Sequence, residues 1–188
     1  MADGSIATER LILRPPAPDD LPWILESMNT SAVMRYLGGE VRTRAEIEES
    51  LAADCAAFWS GGHQRWTIWL RDDAVRVGRC GLFHVRSPAA PPALQGQREI
   101  GWTLAEPRWG HGYATEAARA VLDLAFGPMG LPVVYSQTSD SNVASTRMMA
   151  RLGFTRRAEL GYVDPDYPPR DNPTTVWSLA ASGEVTGG

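Results

Sequence analysis

The sequence predicts an α/β (α+β) fold, a mixed sheet with helices on its faces. Strand and helix signatures alternate along the chain, and consecutive strands also pair as hairpins, so the sheet mixes both pairings. The size agrees: 188 residues, 44% hydrophobic and 21% charged, suit one domain with its own core rather than a disordered chain.

Residues 8–14 (T-E-R-L-I-L-R) alternate apolar and polar and read as a strand that Pro15, Pro16 and Pro18 end. Asp19 and Asp20 then suit a helix start, and L-P-W-I-L-E-S-M continues as a short helix. Residues 43–59 form the next helix. Thr43 and Glu46 have capping-box spacing, Ile47, Leu51, Cys55 and Phe58 share a face, and Gly61 and Gly62 stop it. Residues 65–70 and 75–85 read as a hairpin turned by Asp72 and Asp73. Residues 87–97 (S-P-A-A-P-P-A-L-Q-G-Q) read as a mobile loop, and 99–104 as a strand. Residues 116–126 are an alanine-rich helix with Ala117, Val121, Leu124 and Ala125 inward. Residues 133–138 are a strand, and 145–152 a helix that Gly153 ends. A strand near 154–160, a Pro- and Asp-rich loop and a last strand at 174–179 follow. Residues 182–188 are expected to be disordered.

Composition narrows the function. All 18 basic residues are arginine, which excludes lysine-dependent chemistry such as P-loop NTPases, Schiff-base enzymes and Ser-x-x-Lys hydrolases. A net charge of −4 with no basic stripe argues against nucleic-acid binding. Cys55 and Cys80 form no Cys-x-x-Cys pair, and His63, His84 and His111 have no ligand spacing. Two free thiols and no metal are expected. No apolar run approaches the roughly 20 residues of a membrane span. The N-terminus lacks a signal-peptide pattern, so the expected location is the cytoplasm.

Two stretches carry chemistry. In P-R-W-G-H-G-Y-A-T-E-A (107–117) a strand enters, a Gly-x-Gly turn follows and a helix leaves. Unpaired N–H groups at a helix N-terminus bind anions, and Gly110 and Gly112 let backbone approach a phosphate closely. A tight turn without ligand is the alternative. A dinucleotide fingerprint fits poorly, because Thr115 takes the third small position and the expected acidic position falls in the apolar 131–135 region. In D-S-N-V-A-S-T-R-M-M-A-R-L-G-F (140–154), Asn142 stands at a strand-to-helix junction where it would bond ligand or simply cap the helix.

With the opening T-E-R-L-I-L-R-P and the strand E-I-G-W-T-L, these motifs resemble the GNAT superfamily of acyl-CoA N-acyltransferases. The likeness is strongest to the ribosomal-protein alanine acetyltransferase (RimJ/RimL-like) branch and spans nearly the whole chain. It implies a GNAT-like fold over residues 1–181, with a central, mostly antiparallel twisted sheet flanked by helices on both faces. It also implies acetyl-CoA as co-substrate and transfer of acetyl to an amine in a ternary complex. Trp109, Gly110, His111, Gly112, Tyr113, Ala114 and Thr115 would then wrap the pyrophosphate. Trp102 and Leu104 would pair with the pantetheine arm, and Asn142 and Ser145 would touch its thiol end.

The attacking amine must lose a proton, and a carboxylate can take it. Glu99 is the first candidate, on the strand beside the cofactor arm; Asp164 is the second. Many relatives protonate the thiolate with a tyrosine where this chain has Met149, which leaves that role to Ser145 or water. A backbone N–H of the 99–104 strand is the expected oxyanion donor. The acceptor is a peptide N-terminus or a small amine, and the resemblance allows a homodimer. Residues 36–44, 87–97 and 162–173 are expected to shape the acceptor pocket, with Tyr36, Trp102 and Tyr167 as wall candidates. Net negative charge mildly favours a cationic amine. A non-catalytic acyl-CoA-binding module or sensor is the alternative, favoured by Met149 and opposed by Glu99 and Ser145.

Overall fold

The computed structural model describes residues 3–61 and 64–181. Gly62, His63 and the 182–188 tail therefore lie outside the described residues. Among the described residues eight strands form one sheet: β1 (Ile6–Ala7), β2 (Leu11–Arg14), β3 (Gln64–Leu70), β4 (Arg76–His84), β5 (Arg98–Leu104), β6 (Val133–Ser139), β7 (Thr155–Arg156) and β8 (Thr174–Ala180). Their order is β1-β2-β3-β4-β5-β6-β8-β7. Among the described residues β5 and β6 run parallel and the other neighbours antiparallel, so the sheet is mixed and mostly antiparallel as expected. The helices are α1 (Leu21–Trp23), α2 (Ser31–Met34), α3 (Arg44–Ser60), α4 (Tyr113–Phe126) and α5 (Val143–Arg151). None of the described helices is long and apolar enough to cross a membrane.

Strand alternation sorts the sheet's two faces. Trp66, Ile68, Cys80, Leu82 and Ile100 point to one face and bury against Ala117, Ala118, Val121 and Ala125 of α4. Small residues on α4 let it lie close to the strands. The opposite face is polar where α3 and the α1 segment cover it. There Thr67 donates to Asp20 at 2.7 Å, and Arg65 and Arg79 reach Asp54. The Thr43–Glu46 capping box forms at the start of α3, and Gly61 closes its end. The α3 stripe differs from expectation at one position. Asp54 is 3% exposed and completes the buried face of Ile47, Leu51 and Phe58, while Cys55 is only partly buried.

Other differences have physical causes. Residues 8–14 are a turn plus a strand, because the backbone N–H of Arg10 donates to Glu116 Oε1 (2.9 Å) instead of a ladder partner. The 21–28 helix ends in a π-helical turn, Ile24–Met28, which puts Ile24 and Met28 into a buried cluster with Ile47 and Leu51. The 87–97 loop is packed rather than loose: Ala90 and Leu94 are buried against Val85 and Val176. The strand expected near 154–160 shrinks to β7, because the chain coils at Ala158–Leu160 to lay Leu160 on that same cluster. Helix α4 starts at Tyr113, directly after Gly112, and α5 starts at Val143, capped by Asn142.

Glu116 ties the β1–β2 turn to the first turn of α4. Its carboxylate accepts from Thr8 Oγ1 (2.6 Å), Arg10 N (2.9 Å) and Arg10 Nε (2.7 Å). Burial pushes this carboxyl up, but the Thr8 and Arg10 bonds outweigh it and hold it below the usual range. Its contribution is therefore present above the unfolded pKa and lost as pH falls through the depressed folded pKa. Glu116→Ala should destabilise the fold by about 1–3 kcal/mol at pH 7. The deficit should shrink in acid, which denaturant melts at several pH values will show.

Candidate active site

The site is built where β5 and β6 part. Their register is a single pair, Glu99↔Tyr135, and Ser136 Oγ donates to the Ile100 carbonyl at 3.0 Å. Beyond that point the strands diverge around a cavity of about 1030 Å³. Alternation decides what the open edge of β5 offers. Since the Ile100 carbonyl points toward β6, the main-chain groups of Trp102 and Leu104 point into the same gap. Trp109 Nε1 takes the Leu104 carbonyl at 2.8 Å. The cleft edge thus keeps the N–H and C=O of Trp102 and the N–H of Leu104, a strand edge that an extended ligand can pair with.

The glycine loop forms the next wall. Gly110 and Gly112 both have φ of 79°, a left-handed conformation that a β-carbon resists. A Cβ on Gly110 would project into open space, and one on Gly112 would lie 3.5 Å from Arg10 Nη2. The loop is a cradle with a bare backbone rim. By helix geometry the first-turn N–H groups of α4 have no partner inside the helix and carry the positive end of its dipole. Arg10 fixes the rim, donating through Nη1 to the His111 carbonyl at 3.0 Å. Trp109, Gly110, Gly112, Ala114 and Thr115 line the cavity. His111 and Tyr113 do not; their rings stack on one another at 5.4 Å.

On the facing side, Asn142 and Ser145 also line the cavity. Asn142 Oδ1 accepts the Ser145 N–H at 3.3 Å, so Asn142 caps α5 at the cavity wall. Met149, at 0% exposure, is a core residue and offers no proton donor.

Four ionisable groups meet at the mouth of the β5–β6 gap. Burial pushes the Glu99 carboxyl up, and a hydrogen bond from Gln137 Nε2 to Oε2 (2.6 Å) partly offsets this. Gln137 Oε1 in turn accepts from the Tyr162 hydroxyl at 2.9 Å. Burial, with Asp164 and Glu99 nearby, pushes the Tyr162 phenol up to about 12 and raises Tyr167 as well. Both phenols are therefore protonated donors at neutral pH. Asp164 is buried and lines the same cavity, but it serves a turn: Oδ1 accepts the Asp166 N–H at 3.1 Å and its main chain is held by Asn172. Tyr36, Trp102 and Tyr167 line the cavity too.

Sequence reasoning missed Gln137, Tyr162, Glu116 and Arg10, which orient the site, and Arg65 and Arg79, which line it. Glu116 left a local trace as an acidic residue in the first turn of α4, and Tyr162 only as the first residue of the 162–173 segment expected to shape the pocket. Both cysteines are free, and burial pushes the Cys80 thiol up to about 12, so it is inert.

A family model described as an acetyltransferase (GNAT) domain matches residues 10–155. The uncharacterized N-acetyltransferase YoaA of Bacillus subtilis (strain 168) is 29% identical over 181 residues, covering 95% of this chain and 98% of that protein. The crystal structure of an acetyltransferase from Agrobacterium tumefaciens str. C58 is 30% identical, with 93% of each chain covered and a TM-score of 0.73. A spermidine N-acetyltransferase from Vibrio cholerae, solved with CoA and spermine, shares the fold at 17% identity. It covers 93% of this chain and 98% of its own, with a TM-score of 0.71.

Proposed function

Because this chain belongs to the GNAT acetyltransferase family, we propose that it moves an acetyl group from acetyl-CoA to a primary amine, in the manner of the RimJ/RimL-like branch. One observation carries the reading: a free β5 edge, a left-handed glycine rim and a partly buried carboxylate, Glu99, line one cavity.

The residues fit coenzyme A. The Gly110–Gly112 rim has no side chain to block a pyrophosphate, and the α4 N-terminus favours its charge. The Trp102 and Leu104 main chain suits the amides of the pantetheine arm. When bound, acetyl-CoA supplies an activated acyl carbon and a thiolate leaving group. Glu99 removes the proton from the ammonium form of the acceptor, aided by an affinity for protons that burial has raised. The β5 N–H groups offer donors to charge on the acyl oxygen. Ser145 or a tyrosine hydroxyl at the cavity wall returns a proton to sulfur. The same reading takes residues 1–181 as one domain.

Acetyl-CoA at a hundred times its Kd should stabilise the protein by about 2.7 kcal/mol. For a chain this long that is a rise in Tm of about 5–10 °C, seen with acetyl-CoA and absent with NAD or ATP. A rise with NAD alone overturns the reading. Buried Met149 is the observation that favours a non-catalytic acyl-CoA-binding module. Amine-dependent release of free thiol separates the two.

A further inference from the structure

One wall of the cavity carries charge that no step above uses. Arg65 on β3 and Arg79 on β4 both line it. Arg79 Nη2 donates to Asp54 Oδ2 at 2.6 Å, and Arg65 Nη1 donates to the same oxygen at 3.2 Å. Arg79 is 11% exposed and its Nε is buried with no partner, while Arg65 keeps 32% of its side chain exposed. Arg42 lines the same cavity. Pinning α3 to the sheet needs one arginine on Asp54; two guanidinium groups leave an excess of positive charge in this wall, with Arg79 shielded from water and Arg65 open to the cavity. Such charge is costly unless an anion meets it. Burial and the neighbouring Arg79 push Arg65 down to about 10, which leaves it charged at neutral pH and short of negative partners.

Between Arg65 and Glu99 the described residues of the sheet offer no polar side chain, only the Phe83 ring lying over Gly81 and Gly101. Arg65, Gly81 and Gly101 stand opposite one another across β3, β4 and β5, and Glu99, two residues from Gly101, shares their face. The two glycines leave a trough floored by Phe83, which lies opposite Glu99 and has the Arg65 guanidinium 4.6 Å from its ring centroid. Strand spacing sets the α-carbons of Arg65 and Glu99 about 12 Å apart. Opposite charges thus face one trough without neutralising each other.

We propose that the acceptor is a small amine that also carries a carboxylate, its ammonium group at Glu99 and its carboxylate on Arg65, with Arg79 and Arg42 behind. This rests on the transferase reading above, and it replaces the cationic acceptor that net charge suggested with one matched to the local field.

The test compares kcat/KM, by thiol release from acetyl-CoA, for glycylglycine, glycylglycinamide, spermidine and a peptide amide with aspartate at its second position. The expected result is a preference of about 10–100-fold for glycylglycine over its amide, carried by KM, from a hydrogen bond to a charged group. Arg65→Gln should bring the two to parity, and Arg65→Lys, a second variant should the first not fold, should retain a reduced preference. Preference for the acidic peptide over glycylglycinamide supports the same carboxylate site with a polypeptide as its source. Equal or better turnover of glycylglycinamide or spermidine overturns the proposal and leaves the transferase reading standing. A preference that survives in Arg65→Gln overturns the role of Arg65. Thermal stabilisation by acetyl-CoA without turnover of any amine overturns the transferase reading, and this proposal with it.

Discussion

Gly112→Val should lose most of the affinity for acetyl-CoA while the fold survives. Gly112 sits at φ 79°, one residue before α4, and caps that helix without a side-chain bond. Valine in that conformation is strained by about 1–3 kcal/mol, which a chain with this core tolerates. The damage to binding is larger. The rim works because its backbone N–H groups meet a phosphate directly; the new β-carbon would make ordinary contact 3.5 Å from Arg10 Nη2, and valine's γ-methyl groups beyond it would crowd the guanidinium that holds the His111 carbonyl. Relief of that crowding moves both the rim and its clamp. Loss of even one or two charge-assisted hydrogen bonds, at about 1.5–3 kcal/mol each, weakens binding by about 100-fold. Calorimetric titration with acetyl-CoA, beside a thermal melt, reads the two effects separately. A folded variant with wild-type affinity would show that the loop is only a turn.

Local chemistry was legible in the sequence, and long-range polar pairing was not. The Thr43–Glu46 box, the glycine turn and the hydrophobic stripes, apart from Cys55 on α3, are short-range devices that stand where their patterns put them. The Thr8–Arg10 turn failed as a strand because its partner, Glu116, lies 106 residues beyond Arg10. Gln137 reads as a solvated strand residue until the β5–β6 pairing sets it against Glu99, 38 residues away. Asp54 is instructive because its signal was present. A carboxylate on the buried stripe of Ile47, Leu51 and Phe58 demands a cation inside the protein. That demand, applied to arginines on alternating strand positions, leads to Arg65 and Arg79.

Glu99→Gln should lower turnover by about 10²–10⁴-fold at pH 7 and leave acetyl-CoA affinity nearly intact. Glutamine keeps the shape of the side chain and its contact with Gln137 but cannot accept a proton. Burial holds the Glu99 carboxyl above its ordinary pKa, so the acid limb of the wild-type pH–rate profile should lie above the usual carboxylate range and vanish in the variant. The stability effect has the opposite sign. A carboxyl whose folded pKa is raised contributes stability below its unfolded pKa, and that contribution is lost as pH rises through the folded value. Above that value the ionised form of Glu99 is held at a cost to the fold, so there Glu99→Gln should melt no lower than wild type. Lost activity then cannot be lost folding. Raising the pH should restore part of the turnover, because more acceptor amine is already neutral. Asp164→Asn is the comparison. Its Oδ1 is occupied by the Asp166 N–H, and asparagine can keep that bond, so turnover should fall far less. A crippled Asp164→Asn beside a near-normal Glu99→Gln would reverse the two roles. Full activity in both would mean that the ammonium proton leaves through water, with the cavity supplying position and charge but no base.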